Sequence, residues 1–299
     1  MFNQYFGNYL LKKKYITPEQ LRIILEEQKS VRVKLGVLAI DAGYMNATQV
    51  NRVHGLQAVK DRKFGELAIE EGYLSEEQLE ELLKMQKKSN IVLGQALIEK
   101  GYFTFEKYEA VLIEYKEDSG LNSDEIRALK ENDVEKIIRI FSKKLSSDYS
   151  DMYRDYLELF VRNLIRFVDD EIRLEEAREI SSYAFGHIVV QRMEGARRVF
   201  TGFSGSESTM AKFASIYAKE ECDGMDAIAR DSLGEFMNCQ NGLFLSNLSH
   251  QGMELELYPS EVKENGEIKA ERSMHVVSCN LSFGTIDILF TDEFPTYIR

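Results

Sequence analysis

The stretch RDSLGEFMNCQNG, residues 230–242, spaces Asp231, Glu235, Asn238 and Gly242 at intervals of four, three and four. On a helix that turns by about 100° per residue these four positions share one face. The opposite face of a helix from about residue 226 to 249 collects the residues suited to a core: Ala229, Leu233, Phe236, Met237, Gln240, Phe244 and Leu248. The pattern predicts one buried face and one face that presents two carboxylates and a carboxamide.

Two residues of the exposed face are poor helix formers. Asparagine is disfavoured inside helices, and glycine costs about 1 kcal/mol relative to alanine there. Gly242 lies one turn beyond Asn238, so its missing side chain would let another surface approach the carboxamide. A Glu-x-x-Asn pair alone is too common to carry meaning. Together with the glycine it predicts a face made for a partner.

The segments around this helix alternate as strands do. Residues 182–193 and 197–203 flank a short turn, and residues 275–283 and 285–290 flank another turn at Gly284. Each pair predicts a β-hairpin. A second helix is expected at about 208–218. The carboxyl-terminal part is therefore predicted to hold an antiparallel sheet flanked by helices, as an α+β or open α/β layer.

With DSLGEFMNCQNG between two such hairpins, this part resembles the CheX branch of the CheC, CheX and FliY phosphatases of bacterial chemotaxis. Their signature is an acidic or Ser residue, three others, Glu, two others and Asn, which falls here on Asp231, Glu235 and Asn238. CheC-type members usually carry two such motifs, so a single motif favours CheX. The resemblance covers about residues 150–295 and implies hydrolysis of the aspartyl phosphate of a CheY-type response regulator.

The roles that the resemblance implies agree with the chemistry of the residues. An acyl phosphate is already activated, so placing a water molecule in line behind phosphorus supplies much of the rate. The carboxamide of Asn238 can both donate to and accept from that water. Glu235 would pair with the regulator's phosphate-site lysine, and Asp231 and Gly242 would line the docking surface. Magnesium would belong to the regulator, and the chain needs no cofactor of its own.

Two other functions stay open at this point. The polar helix face could belong to a catalytically silent adaptor, or the chain could be a cyclic-di-GMP-responsive binding protein. CheX relatives also suggest a homodimer formed through the sheet.

A repeat fills residues 5–115. Four glycines are spaced by 29 residues, and four tyrosines follow the same spacing: Gly7, Gly36, Gly65 and Gly94; Tyr15, Tyr44, Tyr73 and Tyr102. Each copy predicts a short apolar helix, a turn in the left-handed conformation, and a second helix with a capping residue. The turn residues are Lys14, Gly43, Gly72 and Gly101, and the caps are Thr17, Asn46, Ser75 and Thr104.

The four copies resemble the MshEN-type amino-terminal domain of type II secretion and pilus assembly ATPases. In that family a basic residue just before Leu-Gly, together with backbone around the glycine, helps to hold cyclic di-GMP. The corresponding residues of the two middle copies are Lys34, Gly36, Lys63 and Gly65. The alternative is that the helix pairs only stack, bury one another's apolar faces and offer a surface to protein partners.

Residues 116–124, KEDSGLNSD, are polar with a glycine and predict a linker. The predicted domains are therefore 1–118, with four 29-residue helical repeats, and 119–299, a CheX-like domain with a helical extension at its start. Ser123 is expected to cap the first added helix. A long amphipathic run, 153–179, is expected to follow, with its acidic end 169–179 as a solvated helix face.

Composition excludes several classes of function. A net charge of −12 argues against nucleic-acid partners, because phosphate neutralisation needs clustered Lys and Arg. The three cysteines and four histidines are dispersed, which argues against a metal site and a disulfide framework. No apolar run is long enough for a bilayer, and no signal-peptide pattern is present, so a cytoplasmic protein is expected.

Overall fold

The computed structural model describes residues 2–27, 33–60, 62–88, 92–143 and 150–298. The chain divides into two compact units, Met1–Asn132 and Asp133–Arg299. None of the described helices is long and apolar enough to cross a membrane.

The described residues of the first unit form nine helices. In chain order they are α1 (Phe2–Lys12), α2 (Pro18–Glu27), α3 (Leu35–Asp41), α4 (Ala47–Lys60), α5 (Phe64–Glu70), α6 (Glu76–Lys88), α7 (Val92–Glu99), α8 (Phe105–Ser119) and α9 (Ser123–Glu131). Each copy of the sequence repeat supplies two helices of the series α1 to α8.

The turn and cap chemistry predicted for the four copies is confirmed. The turn residues Lys14, Gly43, Gly72 and Gly101 all have φ between 59° and 74°. At the start of α2, the Gln20 amide donates to Thr17 Oγ1 at 3.2 Å and the Thr17 amide donates to Gln20 Oε1 at 2.8 Å. The same reciprocal pair occurs at Asn46 and at Ser75, while Thr104 accepts from the Lys107 amide. These bonds satisfy amide groups that a helix start leaves unpaired.

The repeated glycines let the two helices of a copy approach closely. A Cβ added to Gly36 would lie 2.8 Å from Val50 Cγ1, and one added to Gly65 would lie 2.6 Å from Leu79 Cδ1. At Gly94 the added atom would lie 2.6 Å from the ring of Tyr108. In all three copies the obstructing side chain belongs to the second helix of the same copy. The spacing of glycines therefore has a packing cause.

The copies do not form a linear stack. In a linear array each copy contacts only its neighbours, whereas α7 of the fourth copy contacts both α1 and α2 of the first. The rings of Phe6 and Tyr108 lie 6.3 Å apart, and Tyr15 Oη donates to Glu114 at 2.5 Å. The first unit is therefore a helical cluster in which the first and fourth copies meet.

The predicted linker lies largely within helices. Helix α8 continues to Ser119 and ends at Gly120, whose φ is 62°, and α9 begins three residues later. The side chain of Asn122, not Ser123, caps α9 and forms a capping box with Glu125. The glycine therefore marks a helix end instead of a flexible connection.

Helix α9 belongs to the first compact unit, which extends to Asn132. Lys130 Nζ lies 2.6 Å from Asp41 Oδ2, and the Asp41 side chain is fully buried. The same ammonium group lies 5.1 Å from the centre of the Phe2 ring. This buried ion pair fastens α9 to α3.

Replacing Lys130 by methionine is expected to lower the free energy of unfolding of the first unit by about 3–5 kcal/mol, because the buried Asp41 carboxylate loses its partner. Denaturant titration followed by circular dichroism measures the change.

A double variant, Asp41→Leu with Lys130→Met, should recover most of that loss, since apolar replacement of a buried pair is often neutral. Lys84→Met, which removes an exposed pair with Glu80, should cost less than about 1 kcal/mol. A Lys130→Met loss no larger than that of Lys84→Met would contradict the assignment.

The second unit mixes helices and strands. In chain order its described elements are α10 (Val134–Phe141), α11 (Ser150–Phe167), β1 (Arg173–Leu174), β2 (Arg178–Gly195), β3 (Arg198–Gly205), α12 (Glu207–Ala218), α13 (Ala227–His250), β4 (Leu255–Leu257), β5 (Glu261–Leu281), β6 (Gly284–Thr291) and β7 (Thr296–Ile298). The two hairpins and the two helices between them lie where the sequence predicts them.

The expected helix over residues 169–179 is wrong. Helix α11 ends at Phe167, and the acidic segment contains β1 and the start of β2. Asp169 Oδ1 accepts from the Glu171 amide at 2.9 Å, and its Oδ2 accepts from the Ser282 amide at 2.6 Å. Such side-chain bonds to backbone compete with helix continuation. The segment also buries Ile172 and Leu174 instead of facing solvent.

All strand pairs in the described sheet are antiparallel, as predicted. The pairs β5–β6, β6–β3, β3–β2 and β2–β5 close into a ring. The long strands β2 and β5 pair from Arg178 with Val276 to Val190 with Glu261, through an irregularity between Ile180 and Ser182. The open-layer expectation is therefore wrong, because the sheet curls until its long strands meet.

The curled sheet has a core on each side. One core lies inside the curl and includes Ile188, Val190, Phe200, Val276 and Leu289. The other lies between the sheet and the helices, where Phe203 and Phe290 contact rings from α11, α12 and α13. Strand β2 contributes side chains to both cores, and this packing fixes the position of the strand beneath α13.

Candidate functional site

A side-chain cap fixes the start of helix α13. Its N-cap, Asp226, accepts from the Ala229 amide at 2.8 Å through Oδ1 and from the Asp223 amide at 3.1 Å through Oδ2. These backbone N–H donors hold the pKa of Asp226 below its ordinary value. A negative charge at this end also complements the helix dipole. The helix then runs for 24 residues to His250.

The predicted buried face of α13 is confirmed, since all seven of its predicted core residues are buried. The ring centre of Phe236 lies 4.9 Å from that of Phe213 and 5.4 Å from that of Phe160. Beside this aromatic cluster, Asn163 Nδ2 donates to Gln240 Oε1 at 2.7 Å. Each buried phenylalanine of this kind contributes about 1.5–3 kcal/mol. The helix is thereby fixed in rotation about its axis.

The opposite face is exposed, as predicted. Asp231, Glu235, Asn238 and Gly242 are all exposed. A Cβ built on Gly242 meets nothing within 4 Å, so no packing inside the chain requires glycine there. The face is not purely polar, because two large apolar side chains border it: Ile228, 40% exposed, and Leu243, 45% exposed.

The Asn238 side chain is held in one orientation by a buried network. Its Oδ1 accepts from Gln191 Nε2 at 2.6 Å, and the same nitrogen donates to the Tyr258 carbonyl at 2.8 Å. Gln191 Oε1 accepts from Asn241 Nδ2 at 2.8 Å. Asn241 Nδ2 also donates to Thr201 Oγ1 at 2.9 Å. The exposed carboxamide of Asn238 is therefore held on the sheet by a hydrogen bond to the buried carboxamide of Gln191.

Glu235 and Asp231 differ from Asn238 in this respect. Within the described parts of the chain, neither carboxylate forms a hydrogen bond or an ion pair. The phenol of Tyr217 lies near Glu235, and its pKa is raised by burial and then by the nearby Cys239 thiol and Glu235 carboxylate. The Tyr217 ring packs against Phe236 at 5.4 Å. Glu235 thus projects from a rigid base and remains able to pair with a cation from outside.

Sequence reasoning missed Gln191, Tyr258 and Tyr217. A signal existed for Gln191, because it is a polar residue at a buried position in the apolar run HIVVQRM. Buried amides need partners, so a partner on the facing helix could have been expected. Tyr258 contributes a backbone carbonyl, and no side-chain pattern identifies such a group.

The residues predicted to hold a nucleotide lie in the first unit. Lys34, Gly36 and Lys63 line a cavity of about 910 Å³, and the lysines occupy the N-cap positions of α3 and α5. Lys34 Nζ already pairs with Glu99 at 3.0 Å. Gly65 does not line this cavity and instead packs against Leu79. The structure thus brings three of the four predicted residues together.

Aromatic side chains also line this cavity. The imidazole of His54 stacks on the ring of Phe105 with centres 5.6 Å apart, and it lies 5.2 Å from the ring of Phe64. Among the described residues no cluster of His, Cys, Asp and Glu in either unit could hold a metal ion.

No protein-family model matches the chain, and no curated protein matches it. Several solved structures of chemotaxis proteins are similar to about half of it. A CheC-like superfamily protein from Shewanella sp. PV-4 is 18% identical, with 47% of this chain and 97% of that chain covered and a TM-score of 0.42. The chemotaxis protein CheX from Vibrio vulnificus is 16% identical, with 47% and 97% covered and a TM-score of 0.41.

A third similar structure is the complex of CheX, CheY, beryllium fluoride and magnesium from Borrelia burgdorferi. It is 17% identical, with 51% of this chain and 99% of that chain covered and a TM-score of 0.38.

Proposed function

We propose that this protein hydrolyses the aspartyl phosphate of a CheY-type response regulator. The observation that carries the proposal is the exposed carboxamide of Asn238, held in one orientation on a rigid helix beside the unpaired carboxylate of Glu235. The resemblance of Asp231, Glu235 and Asn238 to the CheX signature supports it.

The reaction needs no protein nucleophile. The oxygen of a water molecule attacks phosphorus while the bond from phosphorus to the aspartyl oxygen breaks. The electron pair of that bond leaves with the regulator's carboxylate, and the protons of the water end on the released phosphate. Because an acyl phosphate is a mixed anhydride whose carboxylate is a good leaving group, positioning water in line supplies much of the rate.

Each residue of the face has a role in this proposal. Asn238 contacts the attacking water or the phosphoryl group without adding a charge that would repel it. Glu235 pairs with a lysine at the regulator's phosphate site, which anchors the helix. Magnesium at that site would be supplied by the regulator.

The surroundings of Asn238 suit a protein partner. Ile228 and Leu243 give apolar contact area along the helix, and the Tyr258 side chain is 40% exposed beyond Gln191. Gly242 leaves room for the regulator's surface one turn from the carboxamide. Exposed aromatic and aliphatic side chains around a polar centre are typical of binding surfaces.

Asn238→Ala is expected to reduce the accelerated loss of phosphate from a cognate regulator by about 100-fold, because the water or phosphoryl contact disappears. The decay of phosphorylated regulator, followed with and without the protein, measures this.

Asn247→Ala makes the same change at an exposed position about two and a half turns further along α13 and should leave the decay unchanged. Glu235→Gln should chiefly raise the half-saturating concentration of phosphorylated regulator. If Asn238→Ala dephosphorylates the regulator as fast as the wild-type protein does, Asn238 has no such role. Binding of the regulator without any acceleration would identify the protein as an adaptor.

Gly242→Ala is expected to have opposite effects on stability and on docking. Alanine should stabilise α13 by about 0.5–1 kcal/mol, since the added methyl group meets nothing within the chain. The same methyl group should raise half-saturation for the regulator about tenfold by obstructing its approach. Thermal unfolding and steady-state dephosphorylation report the two effects.

Gly55→Ala is the matched control, because Gly55 is exposed within α4 and its added Cβ also meets nothing. It should raise stability without changing docking. If Gly242→Ala leaves half-saturation unchanged, the regulator does not approach α13 at this glycine.

Cyclic di-GMP binding is a second candidate function, for the first unit. The cavity is lined by Lys63 and by Lys34, whose ammonium group pairs with Glu99, and its stacked rings of His54 and Phe105 offer a planar surface. Titration calorimetry of the full chain with cyclic di-GMP should give saturable heat that the double variant Lys34→Ala, Lys63→Ala loses. The absence of heat at high ligand concentration would remove this candidate.

A further inference from the structure

We propose that Gln191 is a positioning residue that turns the Nδ2 group of Asn238 outward, toward the partner. Its effect on catalysis rests on the proposed phosphatase function, whereas the orientation itself follows from the hydrogen bonds of this chain.

The orientation is fixed by a group that can only accept. Gln191 Nε2 lies 2.8 Å from the carbonyl oxygen of Tyr258. If the Gln191 carboxamide were reversed, its oxygen would face that carbonyl oxygen with no proton between them, so the nitrogen must be there. The same nitrogen lies 2.6 Å from a terminal atom of Asn238. That atom must therefore be the acceptor Oδ1, and Nδ2 points away from Gln191.

The other end of Gln191 agrees with this assignment. Its Oε1 faces Asn241 Nδ2 at 2.8 Å, and that nitrogen also faces Thr201 Oγ1 at 2.9 Å. Thr201 Oγ1 lies 3.5 Å from the Gln191 carbonyl oxygen, to which it donates, so it accepts from Asn241. Every donor in this chain of contacts meets an acceptor. Gln191 is 2% exposed, and a buried amide that lost these partners would be left without the hydrogen bonds that water provides in the unfolded chain.

The consequence is that Asn238 offers its partner two N–H donors. Because Nδ2 is the outward atom of this carboxamide and carries only donors, it donates to the oxygen of the attacking water or to a phosphoryl oxygen. A donor bond to the water leaves the second lone pair of that oxygen to attack phosphorus. The carboxamide thus acts by positioning and charge stabilisation, and not by removing a proton.

A pair of variants with the same chemical change tests the effect on catalysis. Gln191→Met removes the donor to Asn238. Gln240→Met removes a buried amide from the opposite face of α13, where Gln240 is bonded to Asn163. We expect Gln191→Met to lower kcat for regulator dephosphorylation about tenfold with KM within about twofold, and Gln240→Met to change kcat less than twofold. Equal kcat values for the two variants would overturn the catalytic role of Gln191.

Nuclear magnetic resonance of the wild-type chain tests the orientation whether or not the protein is a phosphatase. The variants Asn238→Ala and Gln191→Met identify the side-chain resonances of the two residues. Both side-chain N–H protons of Gln191 should exchange slowly with water, and those of Asn238 should exchange rapidly. Slow exchange at Asn238 with rapid exchange at Gln191 would overturn the orientation, as would rapid exchange at both. A wild-type protein that fails to speed regulator dephosphorylation would reject the phosphatase function alone.

Discussion

The packing of one face of α13 against the curled sheet is the constraint on which the site depends. Phe236 is surrounded by rings from α11, α12 and β3, so the helix has one rotation about its axis. That rotation places Asn238 directly over Gln191 and leaves Glu235 projecting outward. Because the directions of side chains around a helix are fixed relative to one another, the rotation that buries Phe236 also sets the directions of Asn238 and Glu235. A small rotation would separate the carboxamide from its only donor in the described chain.

Much of the site could be predicted from the sequence, because the helix period is a strong signal. The seven core positions and the four exposed positions of α13 follow from spacing alone. The repeat also predicted its own turns and caps, since φ above zero and side-chain capping are local properties. The network under Asn238 could not be predicted, because Gln191 lies 47 residues away and its second acceptor is a backbone carbonyl.

The failed predictions share a physical cause. The polar segment 116–124 has the composition of a linker, yet helix α8 continues through it to Ser119. Within that helix Asp118 forms an ion pair with Lys13 at 2.6 Å. The acidic segment 169–179 has the charge of a solvated helix, yet it anchors backbone amides of the sheet. In both segments the chain makes a long-range contact that local composition does not encode. The meeting of the first and fourth copies is likewise a tertiary choice that periodicity does not encode.

The ring of strand pairings has a consequence for motion. Strand β2 is bonded to β3 on one side and to β5 on the other, and its side chains enter both cores. A strand held in this way is released only in a cooperative opening of much of the unit, not by fraying. Gln191 lies within this strand, where it pairs with Thr201 of β3, and is therefore released only by the same cooperative opening. The exposed amide of Asn238 can therefore exchange partners while its orientation is maintained by a strand that is paired on both sides.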